Sequence, residues 1–358
     1  MRIGIVGDTH LGVRGDSLQF HNNNKKFYET VFFPYLIENN ITTVIQTGDL
    51  MDRRKFVSFN TLYLTKKYFF NRFEELGIKL IVYLGNHDTY FRNSLEVNSV
   101  ELVLQDYIDK GVIECIKSPK TIEFDKTPID IIPWICEDNE KQITEFIKNT
   151  KSHVCFGHFE ISGFEMDRGN VCHDGMSREK LDEYDLVISG HFHHKSSDGH
   201  IYYVGTPAEF TWADYGDHRG FHIFDTKTQE LDFIENPYRM FYKITYDDKV
   251  ETLESINGKD YSQYKDTYVK VIVATKGNPV LYDIFLDKLY EAAPLDVTIV
   301  EDFTDYSEIT DEDIVDQSDD TMTTLDKFVE ALEMGLDKNK LKAVMRDIYL
   351  QAQNVETK

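Results

Sequence analysis

Five short polar groups, each following an apolar run, hold most of the chemistry this sequence can offer. They are Asp8-x-His10, Gly48-Asp49-x-x-Asp52, Gly85-Asn86-His87-Asp88, Gly157-His158 and Gly190-His191-x-His193. Carboxylate, amide and imidazole donors in this mixture suit divalent cations of hard to borderline character, and one carboxylate can bridge two of them. Such a pair of ions acts as a Lewis acid and lowers the pKa of a bound water. A single Gly-His pair carries little weight, whereas five groups in fixed order after five separate runs are specific. In the stretch ISGHFHHKSS, the alternation of an extended segment puts His191 and His193 on one side and His194 on the other. The lone histidines His21, His153, His173, His200, His218 and His222 read as surface or satisfied core residues.

The runs that must position these groups are RIGIVGD (2–8), ITTVIQTGD (41–49), KLIVYLGN (79–86), SHVCFGH (152–158) and YDLVISGH (184–191). They have strand length and alternate with helix-period segments, which predicts an α/β layered domain. In open α/β sheets ligands bind outside the carboxyl ends of the strands, so five polar ends can converge on one place. IYYVGTP (201–207) and GFHIFDT (220–226) continue the sheet material, and the ENPYRM stretch around Pro237 marks a boundary. Beyond it, strands over 241–246, 268–275 and 296–302 and a helix over 279–293 predict a small α+β unit. Residues 301–320 carry ten acidic side chains and no basic one, the composition of a solvated linker. Two short amphipathic helices follow, one with Leu325, Phe328, Val329 and Leu332 on a stripe, the other with Leu341, Val344, Met345 and Ile348. Such a pair buries its apolar faces poorly by itself, so it either folds back on the parent domain or docks on a partner's helices.

At 358 residues the chain is long enough for two or three units, and 41% hydrophobic content supports a sizeable core. No apolar run is long enough to span a membrane, and the start MRIGIVGDTH lacks the apolar core of a signal peptide, so a cytoplasmic protein is expected. Cys115, Cys136, Cys155 and Cys172 are widely spaced and read as free thiols rather than a zinc site. The net charge of -24 is opposite in sign to the footprint of a nucleic-acid binder. A polyanion must therefore be held by local cations, and Arg14, Arg53, Arg54, Lys55 and Arg92 lie beside the polar groups, with Arg168 and Arg178 near others. Tyr90 and Phe91 either stack on bases or pack beneath their loop.

The five groups resemble the motifs of the calcineurin-like metallophosphoesterases. Within that superfamily, GDTHLG, TGDLMDRRK, VYLGNHDTY, DIIPW, GHFHH, YVGTPAEFTWAD and GDHRGFHIFDT resemble segments of the SbcD-type nuclease subunits of double-strand-break repair complexes, the T-even phage branch in particular. The resemblance implies a layered α-β-β-α nuclease domain over 1–236, a DNA-capping domain over 237–302, an acidic linker over 303–320 and, over 321–358, a helical pair that docks on a partner ATPase. It implies that Asp8, His10, Asp49 and His193 hold one ion, and Asp49, Asn86, His158 and His191 a second. Manganese is the family's usual ion, and the same donors accommodate magnesium, iron or zinc. His87 would face the scissile phosphate, with Asp88 holding its other ring nitrogen.

The implied activity is Mn²⁺-dependent double-strand exonuclease and single-strand endonuclease cleavage of DNA in recombination and repair. The implied partner is an SbcC-type coiled-coil ATPase, joined by a nuclease homodimer in a heterotetramer, in the cytoplasm of the host cell. Segments 27–39 and 59–73 are aromatic enough for dimer helices, or for an ordinary helix-on-sheet core. The alternative is a phosphoprotein or small-molecule phosphatase of the same superfamily. Against it stand Asp88, where those enzymes carry Glu, and the capping unit, which they lack.

Overall fold

Each of the five apolar runs becomes a strand that ends within its polar group or no more than two residues before it: Arg2–Val6, Thr43–Gln46, Lys79–Tyr83, Val154–His158 and Leu186–Gly190. The computed structural model describes residues 1–301 apart from Arg168. The predicted linker 303–320 and helical pair 321–358 lie outside the described residues. The five strands do not share one sheet. The first three belong to a six-stranded sheet ordered Leu231–Glu235, Gly220–Asp225, Arg2–Val6, Thr43–Gln46, Lys79–Tyr83, Ile113–Ile116. The other two belong to a second six-stranded sheet ordered Ser196–Ser197, Ile201–Tyr203, Leu186–Gly190, Val154–His158, Thr127–Ile132, Lys120–Phe124.

Strand alternation explains why the sheets stack. Ile3, Ile5, Ile45, Ile81 and Tyr83 of the first sheet meet Ile129, Ile131, Val154, Phe156 and Ile188 of the second in one core. The intervening residues Val6, Val44, Leu80 and Val82 point to the outer side, under the helices that cover the first sheet. On the second sheet, Ile132, Cys155 and Val187 do the same beneath Ile143, Ile147 and Leu181. Both faces of both sheets are thus buried, which is why the strands read as near-continuous apolar runs. The architecture is the layered α-β-β-α sandwich.

The aromatic segments 27–39 and 59–73 lie in helical stretches, each interrupted by one wide π turn, Tyr28–Phe32 and Lys66–Phe70. Tyr28, Phe32, Phe33, Phe69, Phe70 and Phe73 are fully buried against the first sheet, whereas Phe59 and Tyr63 stay exposed. Ser58 caps the second stretch by accepting the Thr61 N–H at 3.1 Å.

Past residue 240 the chain builds a three-stranded parallel sheet from Phe241–Asp247, Tyr268–Thr275 and Asp296–Val300. The helix Pro279–Glu291 covers it with Tyr282, Phe285 and Leu289. The buried carboxylate of Glu209 ties this unit to the sandwich, accepting the N–H groups of Met240 at 2.7 Å and Phe241 at 3.0 Å. All four cysteines are free thiols, and no described helix is long and apolar enough to cross a membrane.

His222 gives the fold an acid sensitivity of its own. It sits in the strand Gly220–Asp225 between Ile5 and Phe233, and burial, reinforced by the Lys195 charge, pushes its imidazole down to about 3 from an ordinary value of 6.5. The unfolded chain therefore binds this proton more readily. Stability is intact above about pH 6.5 and drains away as pH falls towards about 3. At pH 4 the loss from this group alone is about 3 kcal/mol. Denaturant unfolding of His222→Leu from pH 7 to pH 4 should show a flatter pH slope than the parent, and equal slopes would contradict the account.

Candidate metal centre

The carboxyl ends of the five strands meet at one rim of the sandwich, and the crossing is close. Gly85 and Gly190 make it feasible: a Cβ at Gly85 would collide with Asp49, and one at Gly190 with the Thr47 carbonyl and Asp8. Three donor residues take left-handed backbone, His10 at φ 40°, Asp49 at φ 53° and His191 at φ 88°. Such conformations cost about 1–3 kcal/mol each and persist only where surroundings impose them. His191 and His193 do both reach the centre, but through this turn rather than through strand alternation.

Two clusters result. Ligand atoms of Asp8, His10 and His193 lie within 4.8 Å of one another, and those of Asp49, His158 and His191 do likewise. Asp49 stands between them, with Oδ1 3.5 Å from His158 Nε2 and Oδ2 3.9 Å from His10 Nε2. Asn86 completes the second cluster, its Oδ1 3.0 Å from both His158 Nε2 and His191 Nδ1. The sheets are sewn together here by the His191 N–H, which donates to Asp8 Oδ2 at 2.9 Å. His158 Nδ1 donates to the Thr47 carbonyl at 2.7 Å, which fixes the tautomer and turns the Nε2 lone pair inwards.

Electrostatics mark the same spot. Burial, aided by the Asp49 charge, lifts Asp8 to about 7 against the pull of His158 and His10. Burial works against protonation of His10 and His158, yet the carboxylates around them outweigh it and raise both to about 9. Asp49 is held well below the carboxylate range, because His158 and His87 overcome its burial. Burial and neighbouring imidazoles push His191 down to about 3, and burial with the His10 and Arg219 charges holds His193 well below the usual imidazole range.

The donors fit divalent cations. His10 Nε2 and His193 Nε2 face each other at 3.0 Å, while His10 Nδ1 lies 3.5 Å from Asp52 Oδ1. Two imidazole nitrogens converging beside buried carboxylates make a donor set of the kind a divalent cation completes. Nitrogen and carboxylate oxygen without thiolate admit manganese, magnesium, iron or zinc.

His87 lies at the edge of the clusters, its ring 4.9 Å from that of His10. Its Nδ1 donates to the Asp52 carbonyl at 2.6 Å, and burial lowers its pKa. Asp88 does not hold this imidazole, which corrects the sequence expectation. Adjacent residues point apart, and the Asp88 carboxylate turns inwards to accept three backbone N–H groups, from Leu50 at 2.9 Å, Met51 at 3.2 Å and Gly85 at 3.0 Å. Burial and the Asp49 charge raise it to about 7. It clamps the two loops that present Asp49 and Asn86. Asp88→Ala strands three buried donors and should cost about 3–5 kcal/mol, read as a lowered thermal midpoint. A midpoint equal to the parent's would remove this role.

Sequence reading passed over several supports. The backbone carbonyls of Thr47 and Asp52 orient two imidazoles, and a carbonyl leaves no residue-type signal. Trp134 packs its ring 5.1 Å from His191, and Phe210 lies 5.9 Å from His10. Arg219, 4% exposed, donates to Thr206 Oγ1 at 2.7 Å and to the His193 carbonyl, and pairs with Asp214. The DIIPW and GTPAEF segments were the available hints. His194 is set apart as expected, bonded to Asp217 at 2.8 Å.

Among the candidate DNA contacts, Arg14 is exposed and donates through Nε to the Phe210 carbonyl at 2.7 Å. Arg53 pairs with Asp16 at 3.0 Å, and Lys55 is exposed. Arg54 is half-buried and donates through Nε to the Thr89 carbonyl at 3.3 Å, while Arg92 is exposed beside it. Arg178 is engaged by Asp198 at 2.7 Å, and Arg168 lies outside the described residues.

Residues 1–195 match the family model described as calcineurin-like phosphoesterase, a span that closes just past His193 and so contains every clustered donor. The chain is 35% identical over 274 residues to exonuclease subunit 1 of Enterobacteria phage T4, covering 76% of this chain and 77% of that protein. Among solved structures, an archaeal phosphodiesterase aligns at 20% identity over 66% of this chain and 100% of its own, with a TM-score of 0.34. A hypothetical protein from Thermus thermophilus aligns at 13% identity over 66% and 100%, with a TM-score of 0.35. By the extent of the family match and of the phage relative, the chain belongs to the calcineurin-like phosphoesterase family.

Proposed function

We propose that this chain is a manganese-dependent DNA nuclease, the nuclease subunit of a complex that processes DNA ends in recombination and double-strand-break repair. The observation that carries the reading is the pair of donor clusters on either side of Asp49 with His87 at their edge. DNA as substrate is supported by the phage T4 relative, which is by name an exonuclease subunit, and that name also supports a partner. On this reading Asp8, His10, Asp49 and His193 hold one ion, and Asp49, Asn86, His158 and His191 the other.

When bound, two such ions supply Lewis acidity at phosphorus and lower the pKa of the attacking water. The chain's own residues do the rest. Asp49 sets the spacing of the clusters, and the His158 to Thr47 bond keeps one imidazole turned inwards. His87 is pinned through Nδ1, which leaves Nε2 to carry a proton to the leaving oxygen or to stabilise the charge that develops there. Arg14, Arg53, Arg54, Lys55 and Arg92 would hold DNA phosphates locally against the overall negative charge, and the unit over 237–302 would cap the duplex.

Incubating end-labelled linear duplex DNA with the purified chain and Mn²⁺ tests the reading. Stepwise shortening is the expected result. Intact DNA alongside hydrolysis of a simple phosphate monoester would replace the nuclease reading with a phosphatase. The partner is proposed to be an SbcC-type coiled-coil ATPase held by residues 321–358, within a heterotetramer built on a nuclease dimer. Deleting residues 318–358 should abolish co-purification of the ATPase and spare Mn²⁺-dependent cleavage. Retained co-purification would put the contact elsewhere.

A further inference from the structure

Three residues beyond His87 the chain displays two neighbouring aromatic rings to solvent. Tyr90 is 44% and Phe91 49% exposed, and their rings meet edge to face at a centroid distance of 4.8 Å. They do not pack beneath the loop, yet the loop beneath them is well anchored. The Tyr90 N–H donates to the Val97 carbonyl at 2.9 Å, Thr89 Oγ1 donates to the Phe91 carbonyl at 3.0 Å, and Thr89 pairs with Asn98 in an isolated bridge. Exposed rings on a fixed backbone lose little entropy when something stacks on them.

The charge beside them is the opposite of the chain's. Arg54 donates to the Thr89 carbonyl, one residue before the aromatic pair, and the Arg92 guanidinium follows the pair directly. Each bears electrostatically on the other, and no ion pair joins either guanidinium to a carboxylate among the described residues. They are two neighbouring cations in a chain of net charge -24. Arg53, the residue before Arg54, is by contrast neutralised by Asp16. Rings for bases beside cations for phosphates are the two halves of a single-strand binding surface.

We propose that Tyr90 and Phe91 form a stacking platform for the unpaired bases of a single-stranded DNA segment, whose phosphates lie on Arg54 and Arg92 as it enters the site. This rests on the nuclease reading above and adds to it a substrate feature: the strand is engaged through its bases as well as its backbone. The platform is sequence-tolerant, because every base offers a π face. It is placed to hold a frayed or unwound end against His87, which shares its loop.

The test is binding of the full chain to two labelled oligonucleotides of equal length, one with ordinary bases and one with abasic residues, measured by fluorescence anisotropy in Ca²⁺. Both carry the same phosphates, so their affinity ratio isolates the bases. The parent is expected to prefer the ordinary strand by on the order of tenfold, and Tyr90→Ala/Phe91→Ala to bring the ratio near one. Tyr90→Phe/Phe91→Trp should restore the preference, which a merely misfolded loop would not explain. Arg92→Ala should weaken both oligonucleotides alike and leave the ratio in place. A parent ratio of one, or a ratio unchanged in the double Ala variant, overturns the proposal. So does a double variant that keeps the ratio and instead converts a dimer to a monomer, which would make the rings an interface between copies of the chain. Cleavage of the same strands in Mn²⁺ separates the two readings. DNA bound with the base preference but never cut defeats the nuclease reading alone, and DNA cut without base preference defeats the platform alone.

Discussion

Asp49→Asn is expected to abolish tight Mn²⁺ binding and to lower DNA cleavage by about 10⁴-fold, a loss of roughly 5–6 kcal/mol of transition-state stabilisation. The size follows from position. One carboxylate oxygen faces the His158 side and the other the His10 side, so a single substitution weakens both clusters. The amide that replaces it carries no charge, and whichever way it turns, an NH₂ faces one cluster where an acceptor is needed. Mn²⁺ titration by calorimetry reads the binding loss, and end-labelled DNA reads the rate. Thermal unfolding of the metal-free variant separates lost chemistry from a lost fold. Two equivalents of Mn²⁺ bound with the parent's affinity would remove Asp49 from between the ions.

His87→Ala should behave differently, losing about 10² to 10⁴ in cleavage rate while keeping both ion sites. The reason is that His87 supports the clusters through its backbone. Its N–H donates to Asp49 Oδ1 at 2.7 Å, and alanine retains that bond. What disappears is the imidazole whose Nδ1 is fixed on the Asp52 carbonyl. Unchanged Mn²⁺ stoichiometry with a collapsed single-turnover rate is the expected signature. Normal turnover would exclude His87 from proton transfer.

Much of this site is legible in the sequence because its donors sit where a local pattern changes. Val and Ile runs end in glycine, and the next polar residue is forced into the crowded rim where the glycine lets two backbones meet. That rule marks Asp8, Asp49, Asn86, His158 and His191 without any knowledge of pairing. The pairing itself is non-local. Alternation alone suggested one open sheet, and the two-layer arrangement entered with the family resemblance. The short strands Ile113–Ile116 and Lys120–Phe124 carry mixed side chains without a strand signal, and only the DIIPW segment points to Thr127–Ile132.

Asp88 shows another limit. Its neighbour His87 suggested a partnership along the sequence, while the carboxylate found its partners 37 and 38 residues away, at Met51 and Leu50. Backbone acceptors such as Thr47 and Asp52 are invisible for a related reason, since every residue has a carbonyl and only the fold chooses which one is used. The aromatic segments were ambiguous between core and interface. Burial resolves most of them as core and leaves Phe59 and Tyr63 outside it.

The way the two sheets share the donor set bears on how the protein comes into being on the ribosome. Asp8 and His191 touch across 183 residues of chain, and Arg219 must be present to grip the turn that carries His193. A nascent chain can therefore form its first strands, and even its first sheet's central pairings, with no competent centre. The donors come together only late in synthesis, after the second sheet has emerged and docked. Such long-range closure is slow to form, but it makes the centre all-or-none: a truncated product that keeps the N-terminal motifs has half a cage of donors and no complete metal site.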